Sequence, residues 1–67
     1  MPNHLKAPGR LASKVRQTGR PAYIVAAVAG LAPWQLSGYM RGKPIPRLHL
    51  MRLCDALGCA PEEILGP

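Results

Sequence analysis

Apolar residues along the chain recur at helical spacing, and Gly and Pro divide them into short blocks. Leu11 and Val15 stand at i and i+4, with Ala12 and Thr18 beside them, and predict a first helix over residues 9–18 that opens on Pro8. Gly19 follows, at the place where a helix commonly ends on a left-handed residue. Arg20-Pro21 is a turn, and Pro21 opens a second helix whose buried stripe reads Val25, Ala26, Val28 and Ala29. Gly30-Leu31-Ala32 is a tight turn, with Gly30 free to take positive φ and Leu31 pointing inward. Pro33 opens a third helix with Leu36 and Tyr39 inside and Trp34, Gln35, Ser37, Gly38 and Arg41 outside. Residues 41–44 break it. Ile45-Pro46-Arg47 leads into a fourth helix carrying Leu48, Leu50, Met51, Leu53, Cys54 and Leu57, which Gly58 closes. Residues 60–65 form a short fifth helix, with Pro61 in its first turn and Glu62 and Glu63 where the helix dipole favours acids.

Sixty-seven residues make one domain, and a domain of this size buries only about 60% of its unfolded surface. With no Phe, one Trp and two Tyr, the core must come from Leu, Val, Ile, Ala and Met. The fold class predicted is all-α. Residues 1–7 read as a flexible N-terminal arm and residues 8–67 as the folded domain.

Charge sharpens this picture. Nine Lys and Arg stand against three acids, a net charge of +6, and the pI is about 10.2. No Asp or Glu precedes Asp55, so the basic residues are segregated from the acidic ones. That balance points to a polyanion, nucleic acid before anionic membrane, or else to a solvated basic face. The apolar run over residues 22–32 is far shorter than the roughly 20 residues a membrane span needs. The N-terminus has no signal-peptide pattern, so the cytoplasm, with association to the nucleoid, is the expected location. Cys54 and Cys59 are too few for a disulfide framework, and Cys54 falls on an apolar face. His4, His49, Cys54 and Cys59 lack the spacing of a zinc site. No combination of Ser, His and acid suggests catalysis. The chain is read as a non-enzyme without metal or cofactor.

Residues 22–41 predict two short helices joined by a tight turn, a helix-turn-helix whose second helix enters the major groove. The run VAAVAGLAPWQLSGYMRGK, followed by LHLMRLCDALGCAPEEILG, closely resembles the Cro/repressor-like, or XRE-like, helix-turn-helix family. Ala26, Gly30, Leu31, Leu36 and Tyr39 carry the resemblance, with Gly42-Lys43 after the third helix and Leu57-Gly58 before Glu62-Glu63-Ile64-Leu65. It covers residues 9–66. It implies a compact five-helix, lambda-repressor-like domain with helix three (residues 33–41) in the major groove. Base reading would then fall to Pro33, Trp34, Ser37 and Gly38, with Gln35 adjacent. Phosphate contacts would fall to Tyr23 at the start of helix two and to Arg41, Lys43 and Arg47 after helix three.

The chain departs from that pattern in places. Ala32 replaces the usual Ser or Thr cap, and Ala22 replaces a phosphate-gripping Gln. Met40 stands where the family commonly has a Glu that pairs with an Arg of helix one. Trp34 either meets a thymine methyl or sugar edge or packs over Arg41 or helix four. Gln35 is suited to bidentate pairing with adenine and Ser37 to bases or phosphate. Tyr23, Ile24 and Ala27 form a candidate apolar contact for a protein partner. Two functions follow. The first is a sequence-specific regulator of Cro-repressor type from a bacterium or phage, binding double-stranded DNA as a homodimer, the usual arrangement, or as a monomer. The second is a protein-interaction module of the same fold, an antitoxin-like partner or an inhibitor of host machinery.

Overall fold

The computed structural model describes residues 7–66. Most of the expected N-terminal arm, with His4 and Lys6, lies outside the described residues. Five helices follow in order: α1 (Leu11–Gln17), α2 (Ala22–Ala29), α3 (Pro33–Met40), α4 (Arg47–Leu57) and α5 (Pro61–Leu65). The chain is all-α, as the apolar spacing predicts. α2 lies at the centre and packs on both α3 and α4, while α1 packs on α5 and α3.

The helices end by a shared device. At the end of α2 the Gly30 N–H donates to Ala27 O (3.1 Å) and the Leu31 N–H to Ala26 O (2.8 Å). Gly30 sits at φ 73°, in the left-handed region. This is a Schellman motif, and it satisfies carbonyls the helix leaves without partners. It also turns Leu31 into the core beside Ala26, both of them buried. α3 ends the same way. The Gly42 N–H donates to Tyr39 O (3.0 Å) and the Lys43 N–H to Gly38 O (3.1 Å).

The helix starts use a complementary device. Neither Ala32 before α3 nor Ala60 before α5 has a side-chain oxygen to cap the first turn. The side chain three residues on reaches back instead. Gln35 Oε1 accepts the Ala32 N–H at 2.9 Å, and Glu63 Oε2 accepts the Ala60 N–H at 2.8 Å. That is half of a capping box, and Pro33 and Pro61 at the first helical position need no donor.

The core consists of Leu11, Val15, Val25, Ala26, Ala29, Leu31, Leu36, Tyr39, Ile45, Leu53, Cys54 and Ile64. Three expected core positions are on the surface instead: Val28 is 59% exposed, Leu48 58% and Met51 53%. The reason is rotational. The inward stripe of α4 runs through Leu50, Leu53, Cys54 and Leu57, at i, i+3, i+4 and i+7. Leu48 and Met51 belong to a second apolar stripe that faces out. On α2 the inner face is Val25, Ala26 and Ala29, which leaves Val28 beyond its edge. Ile45, expected only as a lead into α4, is buried and plugs the core from the connection. Burial pushes the Cys54 thiol up to about 11, in keeping with its reading as a core residue.

α1 and α5 are tied by Lys14 Nζ and Glu63 Oε1 at 2.8 Å, the one ion pair among the described residues. The Ala60 N–H and then Lys14 hold the Glu63 carboxyl below its usual range. A carboxyl depressed by folding stabilises the fold above its ordinary pKa, and that stabilisation is lost as pH falls through the depressed value. Glu63→Gln keeps the cap acceptor and removes the charge. Its thermal midpoint is therefore expected below wild type at neutral pH, and the two should converge on acidification. A gap that persists in acid would show that charge is not the cause.

No helix among the described residues is long and apolar enough to cross a membrane. No three His, Cys, Asp or Glu among them gather around a metal-sized site.

Candidate nucleic-acid interface

α3 is fixed from beneath by Leu36, which is fully buried, and by Tyr39. The Tyr39 hydroxyl lies 2.6 Å from His49 Nδ1 on α4, with the two rings tilted and 5.8 Å apart. Burial raises the Tyr39 hydroxyl above its usual pKa, so at neutral pH it keeps its proton, and the imidazole tautomer sets which of the two groups donates. Sequence reading weighed His49 only as a metal ligand. Its partner is ten positions away on another helix, and no periodicity announces such a pair. Met40, where a paired Glu is usual, is half-buried against the core. Apolar packing in place of a buried ion pair is commonly neutral or stabilising.

The opposite side of α3 is open. Pro33, Trp34 and Ser37 are exposed, and Trp34 is 73% exposed. It therefore packs neither into the core nor under another helix. Arg41 caps the helix, and its Nε donates a long bond, 3.4 Å, to Ser37 O. Lys43 and Arg47 are exposed in the segment that follows. Tyr23, in the first turn of α2, is 61% exposed. Ala27, one turn on, is exposed, and Ile24 is half-buried.

Two expected positions are placed differently. Gln35 is half-buried rather than fully outward. Its Oε1 accepts the Ala32 N–H, which uses one of the oxygen's two lone pairs and ties the side chain back toward the start of α3. Gly38 is buried, not open. The aliphatic stem of Lys43 covers it: a Cβ built at Gly38 would lie 3.2 Å from Lys43 Cδ. The exposed side chains on this side are Pro33, Trp34, Ser37 and Arg41, with Lys43 laid across the glycine.

The dual role of Gln35 gives a stability prediction. Gln35→Ala removes the acceptor from the Ala32 N–H, and losing a cap costs about 1 kcal/mol. The midpoint of urea unfolding should fall accordingly at unchanged slope. An unaltered midpoint would mean that Pro33 alone starts α3.

This arrangement offers a short helix with one open face, followed by exposed cations. Its chemistry suits docking against a phosphate-lined groove: Arg and Lys meet the backbone, and the helix face meets base edges. The three acids stand apart from it, on α4 and α5.

Comparison with known proteins agrees. A family model described as a Cro/C1-type HTH DNA-binding domain matches residues 21–67. No curated protein matches the chain at a significant level, and no solved structure does. The match begins just before α2 and takes in α2 to α5, so the helix pair, the turn between them and the buried supports of α3 all fall inside it. The chain belongs to the Cro/C1-type helix-turn-helix DNA-binding family.

Proposed function

We propose that the protein is a sequence-specific transcriptional repressor of the Cro type, of bacterial or phage origin, acting in the cytoplasm on the nucleoid. It occupies an operator and denies it to RNA polymerase. The observation that carries this reading is the open face of α3, presented beside Arg41, Lys43 and Arg47. α3 enters the major groove, with Pro33, Trp34 and Ser37 toward the bases. Trp34 offers a large apolar face, suited to a thymine methyl group. Gln35 contributes its side-chain amide at the edge. Arg41, Arg47 and the Tyr23 hydroxyl supply the contacts that position the domain on the backbone. Binding to a palindromic site as a homodimer is part of the same proposal. The role is one of binding, without a catalytic step, metal or cofactor.

Selection from a random pool of duplexes tests this. The expected result is an enriched, palindromic site whose affinity falls steeply with salt, with Trp34 fluorescence changing on binding. A failure to enrich any site would overturn the reading.

A second reading has an observation of its own. Tyr23, Ala27 and Val28 expose apolar surface along α2, and such a strip suits a protein partner. An interaction module of this kind would bind DNA weakly and without sequence preference, yet form a stable complex with a protein.

A further inference from the structure

The open face of α3 contains a residue that ought to be exposed and is not. At about 3.6 residues per turn, Gly38 falls one turn beyond Trp34 and nearly opposite Leu36, which is fully buried. It belongs to the groove-facing side. It is buried because Lys43 lies over it, with an ideal Cβ at Gly38 only 3.2 Å from Lys43 Cδ, 3.9 Å from Cε and 4.0 Å from Cγ. The cause is the Schellman end of α3. The motif bonds the Lys43 N–H to Gly38 O at 3.1 Å, and it commonly brings the side chain of its last residue against the residue whose carbonyl it caps. Any apolar side chain would serve that contact. Here the side chain is a lysine, and its partner is a glycine that leaves a track for the stem. The stem thus lies against Gly38, on the side of α3 that also bears Trp34. The ammonium makes no hydrogen bond or ion pair among the described residues.

The geometry points to Lys43 as a base-reading residue rather than one more phosphate contact: seated on Gly38, it delivers its ammonium to the floor of the major groove. An ammonium has donors only, so it selects acceptor edges, and guanine N7 and O6 are the pair it suits. The inference rests on the helix-turn-helix reading above and deepens it. That reading leaves α3 with few polar readers, since Gln35 is half-buried and tied back to the Ala32 N–H. Lys43 supplies the missing donor from outside the helix.

Lys43→Met keeps a stem over Gly38 and removes the ammonium. Duplex selection with the whole chain should return a site in which one guanine preference is lost. Affinity for the wild-type site should fall about tenfold, the scale of one specific base contact. Replacing that guanine by 7-deazaguanine, which lacks the N7 acceptor, should weaken the wild type and leave Lys43→Met unchanged. Gly38→Ala should raise or hold the thermal midpoint, because alanine favours the helix. Its methyl group pushes the Lys43 stem aside by a few tenths of an ångström, so the same guanine preference should weaken. If Lys43→Met lowers affinity for every duplex by one common factor with the preferences intact, Lys43 is a phosphate contact and the inference fails while the family reading stands. If a folded Gly38→Ala protein keeps the full preference, the seat is not what aims the lysine and the inference fails in that form. If the wild type enriches no site, the reading and the inference fall together.

Discussion

Leu36→Ala is expected to remove a large part of the domain's stability. Leu36 is fully buried beneath α3, and truncating a buried leucine costs about 2–5 kcal/mol, the loss growing with the cavity left behind. Against this stands the whole stability of a domain this size, about 3–10 kcal/mol on a per-residue basis. A helix of eight residues is marginal by itself, and α3 holds its shape through Leu36 and Tyr39. Urea unfolding followed by circular dichroism should show a midpoint displaced toward zero denaturant. Leu48→Ala and Met51→Ala are the controls. Both residues are more than half exposed, so each should change stability by less than about 0.5 kcal/mol. Equal losses at Leu36 and Leu48 would mean that the outward stripe of α4 is covered in solution.

Arg41→Gln combined with Arg47→Gln is expected to remove most of the electrostatic drive for DNA binding while leaving the fold intact. Both side chains are exposed, and Arg41 makes only a long bond to Ser37 O. Each phosphate contact contributes about 0.9 to the slope of log affinity against log salt, so the double variant should lower the slope by about 1.8. At low salt, affinity should fall by at least about tenfold for all duplexes alike, because backbone contacts carry no sequence information. The selected site should be unchanged. A slope equal to wild type would place the phosphate contacts elsewhere, with Arg10, Arg16, Arg20 and Arg52 the remaining described arginines.

The helices were legible because glycine and proline punctuate the chain at nearly every boundary. Gly19, Gly30 and Gly58 all take the positive φ that their positions suggest, and Pro33 and Pro61 open α3 and α5. The inner residues of α1 to α3 were readable for the same reason, apart from Val28. Short blocks with few apolar positions leave little choice of face. α4 was harder, because two apolar stripes overlap on it and spacing alone does not say which one is buried. Ile45 was missed because a plug in a connection has no period.

The candidate site divides in the same way. Pro33, Trp34, Ser37, Arg41, Lys43 and Arg47 are exposed where the pattern put them. Gln35 and Gly38 differ because their states depend on other residues: a backbone N–H three positions back and a side chain five positions on. Neither relation follows from the helical repeat. Each follows from how a particular helix end is closed.

That closure has a consequence for descent. α3 is held at its start by Pro33 and Gln35, at its end by backbone bonds through Gly42 and Lys43, and from beneath by Leu36 and Tyr39. None of these tasks falls to the side chains of Trp34 or Ser37, and Arg41 adds only its long bond. The Trp34 and Ser37 side chains are free to diverge without eroding the fold, so a lineage can move between binding sites through intermediates that all remain folded.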